Sequence, residues 1–551
     1  MNLGYKLFDH LELGFNFLLA HTTDEEAIHT TSDYLLNEPG TTLEQWQLHF
    51  TERAINNYQF RGKLELPGLA DSQLDWVVNL ADTFQHEPDH RFLNYFVDET
   101  GNYTLGAASL PVPSYPSRYF REITDDALNA KLDWKIPFWF AGRDSSFKTG
   151  LFDSQANRDF REQYFSYAES TLFDVANPNA YLNNPAYLSY TPVWLGPVGT
   201  RIGTNYNFIR TINLAASRPY TASFDISAAY WMADVAVLPW LRLIGGARLE
   251  RTDMQIDAFA SGNSQLQQTD LLPSLSGVVS LATNLTLRLG YAESVARPSF
   301  REKSPILNYL PDRKLFASGN AGLAMAALTS YDARFEWFPA PGEIVSVGAF
   351  YKEITNPVEL YLTSLDGNDI TWINRPNANV SGFEFEARKS LRFLSPYFDG
   401  LTLGANIALI QSETALTESE YQNKTDVDRD GLIDFPTPRK RPLYDQSPYV
   451  INLDLSYDNP RSGTTCTLSA NLTGERISLT TAQGEDLYQH PPVMVDFGVS
   501  QKLGRNLSLR FGVRNLLDDD YLESYGSRAE GALYQKYQRG RTYSLSLSAE
   551  F

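Results

Sequence analysis

The sequence has no apolar run of about 18 residues, the length a helix needs to cross hydrocarbon, which excludes a helical membrane protein. It has a single cysteine, Cys466. Intrachain disulfides and cysteine-based zinc or redox centres are therefore excluded. Basic residues are outnumbered, 46 Lys and Arg against 66 Asp and Glu, for a net charge of −20. Such a surface repels nucleic acid, whose backbone is bound through clustered Lys and Arg, and attracts cations at long range. Phosphate-cradling glycine loops and strand–turn–helix serine motifs are missing. The seven histidines are scattered. His86 and His90 are four apart, but their segment is polar and contains a proline. Nothing here indicates an enzyme. Linkers and shifts of composition are missing as well, so the 551 residues read as one large domain and not as modules of about 100–150 residues each.

What the chain has is alternation. Leu507, Leu509, Phe511 and Val513 interleave with Ser508, Arg510, Gly512 and Arg514. Tyr543, Leu545, Leu547, Ala549 and Phe551 interleave with serines, Thr542 and Glu550. Each run is a strand with one apolar and one polar face. About nineteen such segments recur from the first residues to the last. No helical stretch is large enough to cover their apolar faces, so the expected cover is lipid. Short turns, such as Asp9-His10, Pro67–Asp71, Pro339–Gly342 and Asp458–Gly463, alternate with long loops. Short turns at one rim and long loops at the other fit an outer-membrane barrel, which must close because an open backbone edge in hydrocarbon is costly. The fold class is thus all-β, a large antiparallel transmembrane β-barrel in the bacterial outer membrane, with lipid and lipopolysaccharide as its surroundings. Arg288, Glu384, Glu386 and Arg510 are expected to face a wet lumen. The first and last strands both run towards the short-turn rim. That parity, and an N-terminal segment that does not read as a signal peptide, lead to the expectation of missing N-terminal strands.

Several stretches resemble the barrel of TonB-dependent outer-membrane receptors: AESVARPSF at Ala292–Phe300, FEWFPAPGEIVSVGAFYKEITNP at Phe335–Pro357, NVSGFEFEARKSL at Asn379–Leu391, VRNLLDDDY at Val513–Tyr521 and YQRGRTYSLSLSAEF at Tyr537–Phe551. The resemblance implies a 22-stranded barrel with an N-terminal plug. It implies uptake of a scarce ligand, a siderophore, corrinoid or glycan, driven through the TonB complex. This sequence shows no plug, no energy-coupling box and about 19 of the 22 strands. The expectation is a receptor-like β-barrel domain over residues 1–551, N-terminally incomplete. The rival readings are a passive pore or nonfunctional receptor fragment, and a soluble or surface β-rich binding protein.

Candidate sites lie in the loops. DVDRDGLID at Asp426–Asp434 matches the first nine positions of a calcium loop. Asp426, Asp428, Asp430 and Asp434 supply carboxylates, and Leu432 supplies a carbonyl. Position twelve is Thr437, where a bidentate Glu is expected, and no flanking helix is anticipated. A structural Ca2+ that stiffens an external loop stands against a plain acidic loop, and no cofactor is required. Arg297, Arg301 and Arg313 could pair with an anionic ligand or with acids already present. Tyr181, Tyr187, Tyr190 and Tyr206, in the Asn- and Pro-rich stretch 168–220, could stack on a ligand or pack within the loop. Asp518–Asp520 reads as a strand-end cap.

Overall fold

In the computed structural model the alternating runs form one continuous antiparallel wall. The structure describes residues 1–33, 41–105, 117–167, 210–212, 219–259, 261–310, 313, 315–363, 369–425, 438–504, 506–527 and 531–549. Among the described residues the wall contains 22 strands. Three of them, Tyr103–Leu105, Arg210–Ile212 and Lys440–Arg441, are short pieces that pair beyond the end of a longer neighbour. Nineteen wall positions remain, each paired with the next in sequence from Asn2–Phe8 to Thr542–Ala549. No described helix is long and apolar enough to cross a membrane. The crossing elements are strands.

The outer face locates the lipid. On the strand Leu241–Asp257 the outward residues are Leu241, Leu243, Gly245, Ala247 and Leu249, then Arg251, Asp253, Gln255 and Asp257. The apolar part spans nine residues, the length a tilted strand needs to cross hydrocarbon. The same change occurs on neighbouring strands after Leu80, Leu128, Leu151 and Leu271, where Asp82, Asp126, Asp153 and Thr269 follow on the outside. Further round, Tyr291, Tyr331 and Tyr351 lie side by side on three strands, their ring centroids 5.3 and 6.4 Å apart. Beyond them the outer face presents Glu293 and Glu353, which accept hydrogen bonds from Tyr291 and Tyr351. This is the interfacial belt expected of amphipathic aromatics. The apolar side chains of the last strand are uncovered, with Leu545 72% and Leu547 64% exposed, so no second protein layer shields them. The inner face is polar. Arg288 pairs with Glu336 at 2.7 Å, Arg334 bridges Glu336 and Glu386, and Asp133 receives Lys131, Lys148 and the Tyr230 hydroxyl.

Two features exceed the sequence reading. Five strands run for 23 to 26 residues, Leu11–Asp33, Thr42–Leu66, Ser72–Val97, Ser117–Phe140 and Arg143–Tyr167. They extend well past the hydrocarbon on the long-loop side, through His21–Asp33 and Gln85–Val97, where the sequence is more polar. The long loops themselves also fold. Four hairpins from four different connections make a second, eight-stranded sheet. Its hairpins are Leu307–Leu310 with Leu315–Ser318, Val358–Leu362 with Asp369–Asn374, Arg476–Thr481 with Leu487–His490, and Tyr521–Tyr525 with Leu533–Tyr537. Parallel pairing joins the first to the second and the second to the third. Antiparallel pairing joins the third to the fourth. Leu315, Ala317, Leu360, Leu362, Ile370, Leu479 and Leu487 form its apolar core. The outer edges of Asn2–Phe8 and Thr542–Ala549 pair with no described strand. Both strands run towards the short-turn rim, so antiparallel closure across them takes an odd number of further strands.

Candidate functional site: the loop dome and the chamber beneath it

The loop sheet is held by charge as well as by its core. Arg375, at 0% exposure, donates from Nε to Glu359 at 2.6 Å and from Nη2 to Glu420 at 2.7 Å. Glu359 also accepts from Arg441 at 2.6 Å and from the Tyr444 amide at 3.1 Å. Lys424 donates to Asp486 at 2.8 Å and to the Gly484 carbonyl at 3.0 Å. These residues come from three separate long connections, so the network ties three loops together. Glu420 and Lys424 are placed by the helix Glu418–Thr425. Its start is a capping box: Thr417 Oγ1 accepts from the Glu420 amide, and the Glu420 carboxylate accepts from the Thr417 amide. Burial alone would raise both carboxyls. Arg441 and Arg375 outweigh it at Glu359, and Arg375 does so at Glu420, so both are held below the ordinary carboxylate range.

The predicted arginines are all engaged by protein groups. Arg297 donates to Thr252 Oγ1 at 2.9 Å and pairs with Glu250. Arg313 lies in the turn of the first loop hairpin and reaches the fully buried Glu523 of the last at 3.1 Å, so the two terminal hairpins of the loop sheet meet. Arg301 sits exposed on the one-turn helix Phe300–Lys303, where its charge bears on the buried Glu162. The structure does not bring the three together in one anion cradle. Tyr181, Tyr187, Tyr190 and Tyr206 lie outside the described residues, as does the whole Asp426–Asp434 motif with Leu432. The expectation that no helix flanks that motif is corrected: Glu418–Thr425 ends immediately before it. The capping signal Thr417-Glu418-Ser419-Glu420 was present in the sequence.

Sequence reasoning also missed an inward-facing cluster below the dome. The strand Ser72–Val97 is irregular at Glu87–His90, where its register with both neighbours shifts. The segment is His86-Glu87-Pro88-Asp89-His90, and a proline inside a sheet is tolerated at such a bulge. The extra residue turns both Glu87 and His90 inward. His49, from the adjacent strand, joins them. The His49 and His90 rings stack at 4.1 Å, and His49 Nε2 is 3.5 Å from Glu87. Arg121 is shared, at 3.2 Å from Glu87 and 2.5 Å from Glu162. Seven residues or more separate Glu87 and His90 from Leu80, where the outer apolar band ends, so the cluster lies above the hydrocarbon. Burial, then the adjacent His49, push the His90 pKa down to about 3, so its imidazole is neutral across the physiological range.

The model of the TonB-dependent receptor-like β-barrel matches residues 6–516. This chain belongs to that family. Its similarity to solved structures runs over the whole chain. The ferric-catecholate import receptor Fiu of E. coli is 13% identical, with a TM-score of 0.52, over 100% of this chain and 79% of that one. The ferric yersiniabactin uptake receptor FyuA of Yersinia pestis is also 13% identical, with a TM-score of 0.52, over 100% and 77%. The ferric enterobactin receptor PfeA of Pseudomonas aeruginosa is 14% identical, with a TM-score of 0.50, over 100% and 78%. No curated protein matches the chain. As a member of this family the chain is an outer-membrane β-barrel of receptor type, and the barrel is a transport fold, not a catalytic one.

Proposed function

We propose that this barrel takes up a metal-chelate ligand of the siderophore class, captured at the loop dome and passed into the polar lumen. The observation that carries the reading is the pairing of a lipid-facing wall with a wet interior under a folded dome of long loops. Three similar structures are named as receptors for ferric enterobactin, a ferric catecholate and ferric yersiniabactin, which favours a ferric chelate over corrinoids and glycans. A plug and the TonB complex would supply the gating and the energy. Further strands, three for a 22-stranded barrel, would close the wall between Asn2–Phe8 and Thr542–Ala549. The test is growth of the source bacterium, with and without this gene, on single ferric siderophores, corrinoids or glycans as the limiting nutrient. Loss of growth on one ferric siderophore is expected. Loss confined to a corrinoid or glycan overturns the ligand class, and unchanged growth on all of them overturns the uptake role. For the Asp426–Asp434 loop we propose a structural Ca2+, since four carboxylates so close are costly to order without a cation.

A further inference from the structure

We infer that His49, Glu87 and His90 form a binding site for a divalent first-row transition metal, on the inner face of the wall above the hydrocarbon. Their three ligand atoms lie within 4.8 Å of one another. Two imidazoles and one carboxylate are the donor set that suits zinc-like ions, with a further coordination position left for water or a ligand. The site has no thiolate and only one acid, which disfavours calcium, an ion that takes six to eight oxygens.

The second observation is His90 itself. It is 3% exposed, and its Nε2 has no hydrogen-bond partner. A buried polar atom left unmatched costs about 1–3 kcal/mol, and one ring nitrogen of His90 lies within 4.8 Å of the donor atoms of His49 and Glu87. The bulge adds to the argument. In an unbroken strand Glu87 and His90, three apart, would face opposite sides. The irregularity at Glu87–His90 places both inside, and bulges recur where a side chain must be re-aimed at a functional site.

The surrounding charges permit the cation. Arg121 makes its shorter contacts with Glu162, at 2.5 and 2.8 Å, and only longer ones with Glu87, at 3.2 and 3.4 Å. Glu162 therefore keeps the guanidinium when a Glu87 oxygen turns to the metal. His49 Nε2 exchanges its 2.9 Å hydrogen bond with Thr51 for the ion. The stacked rings must splay, since donor atoms around a tetrahedral ion sit about 3.3 Å apart at metal–nitrogen distances of about 2.0 Å. Glu26 stands 3.9 Å from the other nitrogen of His49 and supplies the outer carboxylate that ligating histidines commonly use.

The inference stands apart from the choice of transported ligand. It is tested on the whole detergent-folded chain by calorimetric titration with Zn2+, without any siderophore. One equivalent is expected to bind in the micromolar range or tighter. His90→Ala and His49→Ala should each weaken it at least tenfold, as should Glu87→Gln, which keeps the size and the hydrogen bond of the carboxylate. His10→Ala and His21→Ala, away from the cluster, should bind as the parent does. Heat-modifiable migration checks that each variant is folded. Excess Ca2+ should not compete. Absence of a stoichiometric site, or a site that survives in the folded His49→Ala/His90→Ala double variant, overturns the assignment.

Discussion

Replacing Arg375 with methionine should open the loop dome while the membrane wall stays folded. Arg375, Glu359 and Glu420 are buried to within 1% of completely. Without the guanidinium, Glu359 retains Arg441 at 2.6 Å. Glu420 retains only its cap at Thr417. Leaving one member of a buried ion pair alone costs about 3–5 kcal/mol. That is about two to three and a half decades in the equilibrium for local opening. Hydrogen exchange measures it directly. Amides of Val358–Leu362 and Arg476–Thr481 should lose that much protection, and those of Leu241–Leu249 should be unchanged. Adding Glu420→Leu should restore most of the protection, because the orphaned carboxylate is gone. The pH dependence follows from the same charges. Both carboxyls are held below their ordinary range, so their stabilisation is fully present above the unfolded value of about 4.3 and is lost as pH falls through the folded values. Dome protection in the parent protein should be flat from about pH 5 upward and should fall only in stronger acid. Equal protection in the parent and in Arg375→Met would refute the claim that this network holds the loops.

Val347→Arg places a charge on the outer face between Val345 and Tyr351, inside the apolar band. It should cost about 2–4 kcal/mol of folding free energy in vesicles, measured by urea titration, while Val347→Leu should be near neutral. Gly62 lies beneath the Trp76 ring, where an added Cβ would come within 1.9 Å of a ring carbon. Gly62→Val should displace the indole, cost about 1–3 kcal/mol and shift the tryptophan emission; unchanged emission would contradict that packing. For the Asp426–Asp434 loop, Ca2+ should slow proteolysis between Glu418 and Lys440, and digestion at the same rate in calcium and in chelator would count against a bound ion.

The wall was legible because lipid on one side and water on the other enforce a period of two, as in Leu507–Val513 and Tyr543–Ala549. The pattern fades where strands leave the hydrocarbon. In His21–Asp33 the outer side chains meet water, so His21, Thr23 and Glu25 occupy positions that are apolar lower down. Extended strands there read as a polar stretch. The dome was illegible for another reason. Its strands are four to six residues long and pair across connections far apart in sequence, Phe316–Ser318 with Asp369–Thr371 and Tyr361-Leu362 with Thr480-Thr481. No local periodicity encodes such pairings. The metal cluster was hidden by the same non-local logic. His86 and His90 stand four apart in the sequence, whereas in the strand His86 faces outward by ordinary alternation and the bulge that follows brings His90 to His49.

The two sheets draw their stability from different sources, and that separation suits a receptor. The wall is closed off by lipid and by long ladders of backbone hydrogen bonds, which leave little freedom to open. The dome rests on a compact apolar core, Leu and Ile side chains with aromatics packed against them, and on ion pairs that link separate loops. Elements of low local stability can open without global unfolding. In this network Glu359 holds two arginines and Arg375 holds two glutamates. Removal of one partner weakens the network without abolishing it, so the Arg441→Met dome should open less than the Arg375→Met dome. The reverse order would show that the loops are joined through Arg441 and Asp486, and not through the Arg375 fork.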